Sequence, residues 1–182
     1  MVRSIAFPIS LLVAGALALG GCAATGTSTA SGAWQTLATA TLRNAGGVVV
    51  GTAELRNRRG NWQLALGISG QSPGERAIHL HQVGACDAPD FASAKGHLNP
   101  AGKAHGSANP AGMHLGDLPN LAIGPDGAAS TLIALADDLD LAQVFDADGT
   151  SIVVHGGPDD YRTDPAGNSG PRVACGILTR AG

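Results

Sequence analysis

From Trp62 to Ile68 the chain alternates. Trp62, Leu64, Leu66 and Ile68 fall on one side; Gln63, Ala65 and Gly67 fall on the other. A period of two predicts a strand with one buried face. Residues 36–57 hold two similar runs around Asn44-Ala45-Gly46-Gly47, a predicted hairpin turn, and residues 57–60 turn into the alternating strand. Residues 76–83 form a fourth run and 121–123 a fifth. After the turn Gly124-Pro125-Asp126-Gly127 comes a sixth at 128–135, then a seventh at 151–155 and an eighth at 172–179. Residues 137–145 read as a helical turn or connecting loop. Two long stretches, 84–118 and 156–171, show little periodicity. Loops of that length in a compact domain are usually functional. The pattern predicts an all-β fold: an eight-stranded antiparallel Greek-key β-sandwich or barrel with two long functional loops.

Composition refines this picture. Gly 27 and Pro 10 in 182 residues suit short strands and many turns. Aromatic residues are only 3%, so Val, Ile, Leu and Ala must fill the core. Charged residues are few (14%) and the formal net charge is −3, which gives no footing for nucleic acid.

The beginning of the chain is of a different kind. Arg3 precedes an apolar run at 5–19, which is too short and wrongly flanked for a membrane span. Leu19-Gly20-Gly21-Cys22 follows and resembles the lipobox of bacterial lipoproteins, whose cysteine is acylated and becomes the new N-terminus. The expected organisation is a signal peptide at 1–21, a flexible tether at 22–32 carrying lipidated Cys22, and a domain at 33–182. The lipid bilayer is then a partner, and the domain faces the periplasm in the cell envelope. Ala23, rather than Asp, after the cysteine points to the outer membrane of a Gram-negative cell. With Cys22 acylated, Cys86 and Cys175 remain as a pair in an oxidising compartment. A disulfide is expected there, the alternative being two free buried thiols.

Five of the six histidines lie between residues 79 and 117: His79, His81, His97, His105 and His114. His155 is the sixth. His79 and His81, two apart on a predicted strand, face the same side and can reach one ion, although solvated polar residues show the same spacing. His155 ends another predicted strand. His97, His105, His114 and Asp117 sit in the first long loop. Three imidazoles and a carboxylate suit tetrahedral zinc and also accommodate other metals.

Several motifs now stand together: His79-Leu80-His81, Gly96-His97-Leu98-Asn99-Pro100, His105-Gly106, Met113-His114-Leu115-Gly116-Asp117-Leu118, Val153-Val154-His155 and Arg172-Val173-Ala174-Cys175-Gly176. They resemble copper/zinc superoxide dismutase along the whole domain from about Ala33. The resemblance implies copper held by His79, His81, His97 and His155. It implies zinc held by His97, His105, His114 and Asp117, with the His97 imidazolate bridging the two ions. It makes Asp159 the carboxylate that links a copper histidine to a zinc histidine, and Asp160 a loop hydrogen-bonding residue. Arg172 would sit beside the copper and attract the anionic substrate.

The implied reaction converts two superoxide anions and two protons to oxygen and hydrogen peroxide by one-electron copper cycling, with His97 supplying a proton and the envelope protected. The segment 86–97 and the loop at 159–165 resemble the bacterial periplasmic branch. Monomer and homodimer are both open, any homodimer being of the bacterial type. The competing reading is a non-catalytic periplasmic copper/zinc-binding lipoprotein on the same fold. The presence of His79, His81, His97, His155 and Arg172 together favours the enzyme.

Overall fold

In the computed structural model, Met1 and residues 32–182 are described. The expected signal peptide after Met1, Cys22 and the expected tether through residue 31 lie outside the described residues. Three strands open the domain as an antiparallel meander: β1 (Gln35–Asn44), β2 (Val49–Arg58) and β3 (Asn61–Ile68). Their turns follow from side-chain chemistry. The Asn44 side-chain oxygen accepts from Gly46 N and Val48 N, each at 3.0 Å, and Gly47 takes φ 77°. An asparagine that folds back on its own turn stabilises it locally. Alternate residues point inward: Ala38, Ala40 and Leu42 from β1, Val50, Ala53 and Leu55 from β2, and Leu64, Leu66 and Ile68 from β3. Trp62, at the end of that row, is half-buried against the same core.

The fourth predicted run is two strands. β4 (Gly74–Arg76) pairs with β6 (Leu121–Ile123), whereas β5 (Ile78–His81) pairs with β8 (Ser151–His155). The change of partner falls at buried Ala77, whose carbonyl accepts from His155 N at 2.9 Å. The eighth run divides likewise at Leu178, into β9 (Arg172–Ile177) and β10 (Thr179–Arg180), which returns to β1. With β7 (Ala129–Ala134) there are ten strands among the described residues, eight of them in the main antiparallel sheet, as expected, and two in the separate β4–β6 pair. Periodicity sees a run of residues but not a change of neighbour. The ambiguous stretch at 137–145 holds one helical turn, α1 (Leu141–Val144), started by an Asp140/Gln143 capping box.

The large sheet runs β5-β8-β9-β1-β2-β3-β7, with every pairing antiparallel. The β4–β6 pair is tied by chain continuity to both ends of this order, through Ala77 to β5 and through the turn at 124–127 to β7. The sheet therefore curls around one apolar core. The neighbours β5–β8 and β3–β7 are far apart in sequence, as Greek-key connections require.

β5 and β8 position the site. They are buried on both faces. Ile78, Leu80, Ile152 and Val154 enter the main core, while Val153 joins a smaller cluster with Phe91, Ala94 and Cys175. His79, His81 and His155 project from the face opposite the core, which the two long loops cover.

Candidate metal centre

The first long loop lies along the edge of β5. Leu80 N donates to Gly116 O (2.9 Å), Leu98 N to Leu80 O (2.8 Å) and Gln82 N to Gly96 O (3.0 Å). These bonds bring His97 opposite His81 and Asp117 opposite His79. The approach is close enough to demand glycine: a Cβ on Gly116 would stand 2.2 Å from Leu80 O.

His79, His81, His97 and His155 form one buried set whose ligand atoms lie within 4.8 Å of one another. One nitrogen of three of these rings is fixed by an acceptor. His79 Nε2 donates to Asp159 Oδ2 at 2.8 Å, His81 Nδ1 to Lys95 O at 2.9 Å and His155 Nδ1 to Gly170 O at 3.2 Å. Carboxylates and carbonyls only accept, so each of these nitrogens carries the proton and the other presents a lone pair. Those other atoms, His79 Nδ1, His81 Nε2 and His155 Nε2, have no hydrogen-bond partner among the described residues, and neither does His97 Nε2. A buried polar atom without a partner costs about 1–3 kcal/mol. Four such atoms converging on one centre fit a metal ion that accepts four imidazoles.

Burial also keeps three of the rings neutral, those of His81, His97 and His155. It lowers His81 to about 2 and His155 to about 3. It brings His97 to about 4 against the opposing pull of Asp117. Near neutral pH these rings therefore have no proton to displace before taking a metal.

His97, His105, His114 and Asp117 form the second set. Asp117 Oδ1 lies 2.8 Å from His97 Nδ1 and 3.1 Å from both His105 Nδ1 and His114 Nδ1. Its other oxygen accepts from Gly106 N (2.8 Å) and His114 N (3.0 Å). Burial pushes the Asp117 carboxyl up, but the contacts from His97 and Gly106 outweigh it and hold it below the ordinary carboxylate range. Three imidazole nitrogens and one carboxylate oxygen in this grouping fit tetrahedral zinc. His97 belongs to both sets: Nε2 faces the first and Nδ1 the second.

Asp159 spans the two sets. Oδ2 meets His79 Nε2 and Oδ1 meets His105 Nε2 at 2.9 Å. Asn120 positions it: Asp159 N donates to Asn120 Oδ1 (2.8 Å), Asn120 Nδ2 donates to Asp159 O (3.0 Å), and Asn120 N donates to Tyr161 Oη (2.7 Å). Asn120 and Tyr161 were not singled out from sequence; only the three-dimensional contacts mark them. Asp160 accepts from Arg162 N, Thr163 N, Thr163 Oγ1 and Asn168 Nδ2, and so organises the second loop.

Arg172 is half-buried and pairs across the sheet with His155. Its guanidinium donates to Phe91 O and Lys95 O, both at 2.6 Å. The Lys95 carbonyl therefore serves Arg172 and His81 together. A disulfide, Cys86–Cys175, fastens the loop that carries Phe91 and Lys95 to β9. The two cysteines are bridged rather than free.

The family model described as copper/zinc superoxide dismutase (SODC) matches residues 49–178. The copper-zinc superoxide dismutase 1 of Aquifex aeolicus (strain VF5) is 43% identical over 145 residues, spanning 76% of this chain and 85% of its own. The copper-zinc superoxide dismutase of Caulobacter vibrioides is 40% identical over 147 residues, spanning 78% of this chain and 84% of its own. A crystal structure of a SOD-like protein from Bacillus subtilis aligns with TM-score 0.74 and 36% identity, covering 81% of this chain and 100% of that one.

Proposed function

The chain belongs to the copper/zinc superoxide dismutase family, and from that membership we propose how its residues convert two superoxide anions and two protons to oxygen and hydrogen peroxide. His79, His81, His97 and His155 hold copper; His97, His105, His114 and Asp117 hold zinc. Copper supplies the one-electron redox chemistry, which zinc lacks. The observation that carries this assignment is the convergence of four partnerless imidazole nitrogens on one centre, joined through His97 to a carboxylate-bearing second set.

The protein's own groups do the rest. Arg172, fixed by two carbonyls beside His81 and His155, attracts and orients the anion. His97 Nε2 is the atom at which a proton can be held for the departing peroxide, with Nδ1 kept on the Asp117 side. Asp159 holds His79 and His105 in the tautomers whose lone pairs face the metals. Arg172 also separates this reading from that of a passive metal-binding lipoprotein, which has no use for an anion-binding guanidinium beside the copper set.

The deciding experiment is superoxide dismutation by the protein loaded with Cu(II) and Zn(II), beside a His79→Ala, His81→Ala double variant. Activity that the double variant loses is the expected result. A folded protein carrying both metals and showing no turnover would overturn it.

The reading extends to location. Residues 1–21 act as a signal, and acylated Cys22 tethers the domain to the envelope through residues 23–32, facing the periplasm from the outer membrane. Support comes from Arg3, the apolar run and Leu19-Gly20-Gly21-Cys22. The enzyme then removes superoxide that arises outside the cytoplasm. Labelled palmitate should enter the wild type and not Cys22→Ser; equal labelling would sink the anchor.

A further inference from the structure

The two tryptophans of the chain, Trp34 and Trp62, stand at the same end of the sheet. Trp34 leads directly into β1, Gln35 pairs with Asn57, and Asn57 pairs in turn with Trp62. The two-residue turn that joins β2 to β3, Arg59-Gly60, completes this end. Arg59 takes φ 54° and Gly60 φ 87°. A turn with two positive φ values favours Asn-Gly or Gly-Gly, and few other residues enter its first position. Arg59 therefore occupies a place that local propensity would give to asparagine or glycine. Its neighbour Arg58 lies with Cζ 4.7 Å from the centroid of the Trp34 ring.

Both arginines are exposed. Neither meets a carboxylate: among the described residues the only arginine–carboxylate pair is Arg56–Glu54. Asp137 and Asp138 follow Leu135, whose N donates to Trp62 O, so the acidic side of this end is that of β7. The corner at β1 and β2 is left positive, on a chain whose formal net charge is −3.

This corner is also where the chain enters the domain. Gly32 lies against Arg59: a Cβ on Gly32 would stand 3.5 Å from Arg59 Nη2. Gly32 is ten residues after Cys22, and a chain of that length spans at most about 35 Å. Residues 23–31 carry no charge, so any electrostatic attraction to a bilayer must come from the domain. A tether raises the effective concentration of the surface beside it, so a patch too weak to hold a free protein can still be occupied. Guanidinium matches phosphate in geometry, and tryptophan concentrates at the headgroup level of a bilayer.

We propose that the corner formed by Trp34, Arg58 and Arg59 is a membrane-docking face that binds anionic phospholipid headgroups. The proposal rests on the lipid-anchor reading. Docking there also orients the domain. β1 runs from this corner to Asn44, about 30 Å away at 3.3–3.4 Å per residue, and Asn44 pairs with Ala174, two residues after Arg172. Arg172 then stands at the end of the domain far from the bilayer.

The test reads partitioning onto vesicles and the fluorescence of the two tryptophans. It uses the acylated protein and the same chain from residue 22 made without acyl groups as Cys22→Ser. Vesicles are of phosphatidylglycerol and phosphatidylcholine in equal parts, or of phosphatidylcholine alone. The Cys22→Ser chain should favour the anionic vesicles at about 10 mM salt and lose that preference at about 200 mM. Arg58→Gln with Arg59→Asn should lower its partitioning by about twentyfold, roughly fivefold for each arginine. Arg43→Gln removes one charge near the other end of β1 and should leave partitioning unchanged. Arg59→Asn alone should keep or raise the thermal midpoint, which separates loss of docking from loss of folding. In the acylated protein, a nitroxide on the lipid headgroup should quench the tryptophans more in anionic vesicles than in zwitterionic ones. The double variant should remove that difference.

Equal partitioning of the double variant and Arg43→Gln overturns the proposal. So does wild-type binding that fails to discriminate between the two kinds of vesicle. Self-association without vesicle binding, lost in the double variant, would overturn it in favour of a contact between copies. Labelled palmitate separates this inference from the anchor beneath it. An unlabelled wild type whose Cys22→Ser chain still binds anionic vesicles through the arginines would end the anchor and leave the docking face standing. A labelled wild type with no charge-dependent binding would end the docking face and leave the anchor.

Discussion

His79 and His105 belong to different ligand sets, yet one carboxylate joins them: Asp159 Oδ2 stands 2.8 Å from His79 Nε2 and Oδ1 stands 2.9 Å from His105 Nε2. Each of these is the ring nitrogen other than the one that would meet a metal, so a single side chain fixes two tautomers. Asp159→Asn can satisfy only one of them. Oδ1 also accepts from Tyr161 N at 2.7 Å, so the amide oxygen should stay on the His105 side and the NH2 should face His79. The His79 ring would then have to turn or change tautomer. Copper affinity should fall by about 10–100-fold, the usual effect of losing such an outer partner, with a smaller loss for zinc. Chelator competition for each metal measures both. Equal losses, or none, would mean the carboxylate does not orient His79.

Much of this site was legible in the chain because its signals are local or unusual. The alternation at 62–68 marks the sheet, and His79-Leu80-His81 marks two rings on one face. What could not be read is partnership. Nothing along residues 76–83 announces that Ala77 changes neighbours, because both halves have the same polarity. Asn120 sets its side-chain amide on the backbone N and O of Asp159 across 39 residues, and nothing near either position in the chain names so distant a partner. The Lys95 carbonyl is invisible for the same reason, since any residue supplies a carbonyl. The positive φ of Lys95, 61°, is equally hidden, since a sequence signals such a backbone only where it places glycine.

Arg172 acts through both its charge and its shape. Its fork spans Phe91 O and Lys95 O, and a lysine in its place keeps the charge but cannot hold both carbonyls with the same geometry. Arg172→Ala should lower kcat/KM by about tenfold or more, the scale on which a focused charge acts. Arg172→Lys should fall between that and wild type. The rate constant of Arg172→Ala should also respond least to salt. Stopped-flow measurement across ionic strengths checks the order, and an unchanged salt slope in Arg172→Ala would remove the guanidinium from anion capture.

Gly116 is the narrowest point of the contact between loop and sheet. Its missing side chain lets Leu80 N reach Gly116 O at 2.9 Å, and an added Cβ would meet Leu80 O at 2.2 Å and Leu98 N at 3.0 Å. All of these are backbone atoms of bonded segments, so little can give way. Gly116→Ala should destabilise the metal-free protein by about 1–3 kcal/mol, the range for overpacking. It should also loosen the zinc set, because Asp117 follows directly. Urea unfolding and zinc stoichiometry test the two effects together. A variant with full stability would show that the loop does not need this close approach.

The metal-free protein should lose stability as pH falls from about 6.5 towards 4. Burial holds His81 at about 2, His155 at about 3 and His97 at about 4, each lowered from 6.5. Between those limits the unfolded chain binds protons that the folded chain refuses, so stability rises with pH. At pH 5 each ring contributes a loss of about 2 kcal/mol relative to neutral pH, from roughly 1.5 pH units at 1.36 kcal/mol per unit. Asp117 and Asp159 act in the same direction at lower pH. Burial raises both carboxyls, but contacts from His97 and Gly106 to Asp117, and from His79 and His105 to Asp159, outweigh it and hold them below 3.8. Their stabilisation is present above that value and disappears as pH drops further. The urea midpoint of chelator-treated protein should therefore be lower at pH 5 than at pH 7.5. Bound metals should strengthen the dependence, because protons then compete for the same lone pairs that hold the ions. A midpoint that does not change with pH would mean these imidazoles protonate without leaving the fold, and the argument that burial keeps them ready as ligands would fail with it.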